Sequence, residues 1–232
     1  MRRTAGLTSQ GRRRITPAPT LPRRTGAAVN RDKVPRNSRG VDMDQMTTMT
    51  FAMNELRREV VSLDDAEMET ITNCEPWSVR RLASHALNNQ LLWGGLVTGQ
   101  AIVTVEDTMG AVAFDGDLAS YADEVAERSL AMWETDGVLT SAHGTPFGEL
   151  PGSVIINFAI IDALCHAWDL SVSVGRPIEF PPETIPTIAA VVEATCTDAV
   201  REIGLIKGVA PTPSDASDTD RLMAQAGRSR IR

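Results

Sequence analysis

Ile160 to Gly175 reads IIDALCHAWDLSVSVG, and the fold turns on how this stretch is read. Its residues are apolar except for a few polar ones at turn-like intervals. Asp162 and His166 stand four apart, which is one turn of helix, so both side chains share a face. A carboxylate on a core-facing surface is costly unless its charge is compensated. A divalent cation would compensate it, and a neutral imidazole one turn away is a natural co-ligand. The alternative is a polar ridge satisfied by hydrogen bonds alone. Asp169 and Ser173 continue the ridge. Asp169 reads either as a support for His166 or as an intrahelical i+3 partner. Cys165 points elsewhere and reads as core. Gly175 followed by Pro177 stops the helix, and Pro151-Gly152 precedes its start near Ser153.

Working outward, the same periodicity recurs. Met46, Met49, Met53, Leu56, Val60 and Leu63 alternate at three and four residues, which predicts a first helix with a methionine-rich core stripe. Ser78 caps a second helix after Pro76, with Val79, Leu82, Ala86, Asn89, Trp93 and Leu96 on one face and Gly99 at its end. His85 falls on that inward side, where a lone histidine is ordinarily a satisfied core residue. Asn88 and Asn89 line the interior or face solvent. Asp117 caps a third helix carrying Leu118, Tyr121, Val125, Ser129 and Met132. The segment from Val138 to Gly152 reads as an extended excursion with turn residues, and His143 sits in it as a loop histidine. After Pro181-Pro182 a fifth helix is expected, with Ile185, Ile188, Val192, Cys196, Ala199 and Ile203 as one buried stripe to Gly204.

Three segments follow from this. Residues 1–42 are rich in Arg, Pro, Thr, Gly and Ser and read as a disordered basic extension. Met43, Met46, Met49 and Met53 are each serviceable starts, so the extension reads as sequence upstream of the true start. Residues 43–205 form the helical domain. Residues 206–232 are a polar tail in which DRLMAQAGR can dock one short helix. The expected fold is all-α: an antiparallel four-helix bundle with an extra C-terminal helix and one short extended segment.

Charge and cysteine content narrow the function. The net charge is −7, yet residues 1–43 hold Lys33 and ten arginines against Asp32 and Asp42, so the folded part is strongly acidic and suits no nucleic acid. Cys74, Cys165 and Cys196 are odd in number and have no CxxC spacing, which fits a reducing cytoplasm. No apolar run is expected to reach the ~20 residues of a membrane span. GxGxxG, Walker A, GxSxG and HExxH motifs are absent, which removes support for nucleotide binding and those hydrolases. What remains is His85 on the second helix facing Asp162 and His166 on the fourth. Two imidazoles and a carboxylate leave positions open to water or substrate, the pattern of a reactive rather than a closed structural site.

Two longer motifs carry a resemblance. TNCEPWSVRRLASHAL resembles the T-x-C-x-x-W-[ST]-V-x-x-L-x-x-H segment of the DinB/YfiT-like metalloenzyme superfamily. Within it, the segment is most similar to the metal-binding N-terminal domain of mycothiol-dependent maleylpyruvate isomerases. IIDALCHAWDLSVSVGRP resembles that family's D-x-x-x-H-x-W-D-L-x-x-x-x-G segment, FGELPG its F-G-x-x-P-G, and DRLMAQAGR its usual tail. The resemblance covers the chain from about residue 46 onward. It implies a DinB-like bundle in which His85, Asp162 and His166 bind a divalent metal, zinc first, with Ni2+, Fe2+ or Mn2+ as alternatives. It implies mycothiol and an electrophile as small-molecule partners, in a transferase or isomerase reaction, and allows a homodimer. No catalytic base is identified.

The departures bear on this. Family members with isomerase activity carry Glu where this chain has Asp162, one methylene shorter. They also carry a second, C-terminal domain that the residues after Ile203 are too few to build. Arg81 stands where an acid is common, so the capping box is lost, and Val172 stands where arginine is common. The alternative function is a non-enzymatic metal-binding sensor or stress-linked interaction protein using the same ligands.

Overall fold

The computed structural model describes residues 38–100, 102–104, 108 and 113–230. The basic stretch up to residue 37 lies outside these, as do residues 101, 105–107 and 109–112 between the second and third helices. Helix α1 (Ser38–Val61) starts earlier than the methionine stripe suggests. Met49, Met53, Leu56 and Val60 are fully buried along it, and Met46 and Leu63 pack at its margins. Methionine's flexible thioether fills the irregular gaps between helices here.

Helix α2 (Val79–Thr98) starts after Ser78 and ends on Gly99, whose φ of 69° is the left-handed conformation that favours glycine. Ser78 has the extended backbone of a cap, but its side chain makes no capping bond. Arg81 instead lies 5.2 Å over the Trp77 ring. Helix α3 (Leu118–Trp133) is capped by the Asp117 carboxylate, which accepts from the amides of Ala119 and Ser120. A hairpin follows, β1 (Ala142–Thr145) and β2 (Gly148–Pro151), antiparallel, with His143 opposite Leu150.

Helix α4 (Gly152–Ser173) is the quoted stretch up to Ser173 with eight preceding residues. It packs against α1 and α2, which both also pack against α3, closing a four-helix bundle. Its length and mean hydropathy of 1.4 do meet the requirement for a membrane-crossing helix, contrary to the expectation from sequence. The reason is its position: 72% of that window is buried inside the protein, so it is apolar all round because it is surrounded by helices. Gly152 lets it begin. A Cβ there would stand 2.0 Å from the Val138 carbonyl oxygen.

The expected fifth helix is two. Helix α5 (Ile185–Thr195) ends at Cys196, and α6 (Asp198–Glu202) restarts on Thr197, whose hydroxyl accepts from the Val200 amide. Thr197 competes as a cap where the apolar spacing alone continues the helix. The stripe is correspondingly cut short. Ile188, Val192 and Cys196 are buried, while Ala199 is exposed and Ile203 is 60% exposed. Helix α7 (Asp218–Gln225), capped by Ser217, packs on α5 and carries Leu222 and Met223 into the core.

Candidate functional site

The site forms where α2 faces α4, and the chemistry of each group follows from its hydrogen-bond partners. His85 Nδ1 lies 2.7 Å from the Thr108 carbonyl oxygen. A carbonyl only accepts, so Nδ1 carries the hydrogen and Nε2 presents its lone pair. Trp77 packs over the ring at 4.5 Å between centroids. Burial, then the neighbouring His166, pushes the His85 pKa down to about 4, so the ring is neutral at pH 7.

His166 is fixed the same way by a different partner. Its Nδ1 lies 3.1 Å from Asp169 Oδ2, and its Nε2 faces Asp162 Oδ1 at 3.6 Å. Of the two readings of Asp169, both hold: it is the i+3 residue on the same helix, and it accepts from His166. The two imidazole rings stand edge to face, 5.0 Å apart. One ligand atom from each of His85, Asp162 and His166 lies within 4.8 Å of the others. The three residues singled out from sequence are therefore brought together, and His143 is not. Its Nε2 bonds the Val138 carbonyl at the hairpin, beside a different hollow.

Asp162 is held from α2. Asn89 Nδ2 donates to Oδ1 at 2.9 Å and Gln90 Nε2 to Oδ2 at 3.0 Å. Asn89 Nδ2 also lies 3.2 Å from His85 Nε2, between the two acceptors. Asn88 turns the other way and accepts from the Tyr121 hydroxyl. Gln90 went unnoticed in the sequence, although Ala83, Ala86, Gln90 and Gly94 run at core spacing and a buried carboxamide there needs partners.

Behind His166 lies a second cluster. The fully buried Asp169 accepts from Asn73 Nδ2 at 2.6 Å, from Arg228 Nε at 3.1 Å, and from Arg228 Nη2. Cys74 Sγ lies 3.3 Å from Asp169 Oδ2 and 2.6 Å from Arg228 Nη2. Burial raises the Asp169 pKa, but Arg228 and His166 outweigh it and hold the carboxyl at about 2. For His166, burial works downward, yet the bonds to Asp169 and Cys74 and the charge of Asp162 lift its pKa to about 10. Cys74, His166 and Asp169 are themselves close enough to hold a cation, and the Arg228 guanidinium is the cation already there. Arg228 was missed in the sequence, where its segment read as a polar tail. The signal was Asp169 itself, since a buried carboxylate requires a cation from somewhere. Burial pushes the thiols of Cys165 and Cys196 up, which leaves them inert.

The cluster opens onto a cleft of about 640 Å3 walled by Trp77, Leu92, Trp93, Leu96, Phe147 and Leu205, with Asp162, His166 and His85 at its base. These features define a helical-bundle protein with two histidines, each tied through Nδ1 to an oxygen acceptor, and one carboxylate on facing helices. The chain belongs to the family of the mycothiol maleylpyruvate isomerase N-terminal domain, whose description matches residues 50–171. That span contains all three clustered residues and excludes Arg228. Two relatives, the uncharacterized proteins MT0763 and Rv0738 of Mycobacterium tuberculosis strains CDC 1551 and H37Rv, are each 27% identical over 161 residues. The match covers 68% of this chain and 83% of theirs. The structure is similar to that of a histidine-to-alanine mutant of the mycothiol-dependent maleylpyruvate isomerase. The TM-score is 0.52 at 18% identity, covering 65% of this chain and 69% of the other. That likeness supports the DinB-like bundle fold.

Proposed function

We propose that this chain binds a divalent metal, zinc first among Ni2+, Fe2+ and Mn2+, through His85, Asp162 and His166. In this reading it acts on mycothiol and an electrophile as a transferase or isomerase in the cytoplasm. One observation carries the reading. Both histidines have Nδ1 hydrogens tied to oxygen acceptors, His166 Nε2 faces the Asp162 carboxylate, and a ligand atom of His85 lies within 4.8 Å of both. The His166–Asp169 bond is the carboxylate support that metal-ligating histidines commonly have. Two nitrogens and one oxygen suit zinc and leave positions for a substrate. A bound metal would lower the pKa of a coordinated thiol and so favour the nucleophilic thiolate. The chain's own residues do the rest. Asn89 and Gln90 orient Asp162, compensating for the shorter side chain at that position. Thr108 and Asp169 fix the tautomers, and the aromatic walls limit water.

A second reading has its own observation. Asn89 and Gln90 together satisfy Asp162, so the ridge is a hydrogen-bonded core network without a metal. Metal analysis of purified wild type beside His166→Ala decides. The metal reading expects about one ion per chain in the wild type and a large loss in the variant. Equal, negligible metal in both leaves the hydrogen-bonded network. Thiol conjugation to a panel of electrophiles, with and without chelator, then tests for transfer.

A further inference from the structure

Beside the cleft lies a second hollow of about 540 Å3 between the start of α4 and the α5–α6 corner. The two share Phe147 and Leu205. Phe158 joins the hollow to the recess that Asp162 and His166 line from the other side. The hollow therefore adjoins the region of the clustered ligand atoms across these shared side chains.

Its surface is unusual for a region open to water. Phe147, Val154, Ile203 and Leu205 are 55%, 39%, 60% and 40% exposed, and they gather in one place. Among the described residues, none that lines the hollow is charged. Of its polar groups, the Asn157 carboxamide oxygen accepts from Gln45. The Thr195 hydroxyl is buried, with no hydrogen-bond partner among the described residues. The break between α5 and α6 is what turns Ile203 outward to complete this surface.

The charges of the neighbouring cleft argue in the same direction. Among the described residues its cationic side chains are Lys207, Arg228 and His166, and the last two are committed to Asp169. A small dicarboxylate bound at the ligand cluster would leave the apolar hollow in water. Resting on the metal-and-thiol reading above, we infer that the hollow seats the apolar body of the electrophile. The substrate class is then an electrophile with an aryl or branched-alkyl group, with the reacting carbon near Asp162 and His166 and the apolar group against Val154 and Ile203.

Binding of product-like conjugates tests this without depending on turnover. The S-methyl and S-(naphthylmethyl) conjugates of mycothiol are titrated calorimetrically into zinc-loaded and zinc-free protein, wild type and Val154→Asp. Val154 lies in the first turn of α4, where a carboxylate suits the helix dipole, so the fold is retained. Neither it nor Ile203 lines the ligand cluster. In zinc-loaded wild type the naphthylmethyl conjugate binds at least about tenfold tighter than the methyl conjugate. Val154→Asp, and separately Ile203→Ser, erases most of that gain and leaves zinc content and methyl-conjugate affinity as they were. Equal affinity for the two conjugates, a gain that survives both substitutions, or no binding of either conjugate overturns the inference. Zinc content of the same samples decides the metal reading separately, while the naphthyl gain and its loss in the variants decide the hollow.

Discussion

At the scale of single residues, the centre of gravity is Asp169. It is fully buried and accepts from Asn73, His166 and, along one edge, the Nε and Nη2 groups of the Arg228 guanidinium. Replacing Arg228 with Met should leave that carboxylate unbalanced and cost about 3–5 kcal/mol, read from urea unfolding. Replacing Arg228 and Asp169 together by apolar residues should cost much less than the sum. The titrating groups give a pH signature. In the metal-free protein, the raised His166 pKa stabilises the fold fully below its ordinary 6.5, and this contribution fades as pH climbs toward about 10. Asp169, held at about 2, contributes fully above its ordinary 3.8 and is lost as pH falls toward 2. Metal uptake at pH 7 should accordingly release about one proton, from His166, because His85 at about 4 is already neutral. Calorimetry in two buffers of different ionisation enthalpy measures it. Release near zero would mean that His166 is not displaced from its proton.

Among the elements, α4 is the one on which the others depend. Gly152→Ala should push its first turn off Val138 and destabilise the protein by about 1–3 kcal/mol, measured by thermal unfolding. The elements were legible in the sequence where apolar spacing and stop signals agreed: the α1 stripe, Gly99, Asp117 and the hairpin turn. Legibility failed where a local cap outcompeted the spacing, as Thr197 does between α5 and α6. It failed also where partners are distant in sequence. The i,i+4 spacing brought out Asp162 and His166, and a facing helix brought in His85. Nothing in spacing tells that Gln90 reaches Asp162 across the bundle or that Arg228 reaches Asp169 from 59 residues away. Such contacts depend on tertiary packing, and only a count of unbalanced buried charges hints at them.

For the whole molecule, the proposed metal bridges α2 and α4, so its binding energy adds to folding stability. At a free zinc concentration of about 100 times the dissociation constant, stabilisation should reach about 2.7 kcal/mol. For a domain of this size that is a rise of several degrees in Tm. The rise should vanish with chelator and be absent in His166→Ala. A wild type whose melting ignores zinc would support the hydrogen-bonded network instead.

The Arg228–Asp169 pair carries a consequence for descent. Neither partner can be exchanged alone without stranding a buried charge, so the two positions form a fitness valley that single substitutions cross only at a loss. The pair joins a residue inside the matched family span to one outside it. Among relatives, an acid at the position of Asp169 should therefore be inherited together with a basic residue in the docked tail. Lineages that shed the tail should be those in which that acid has already become apolar.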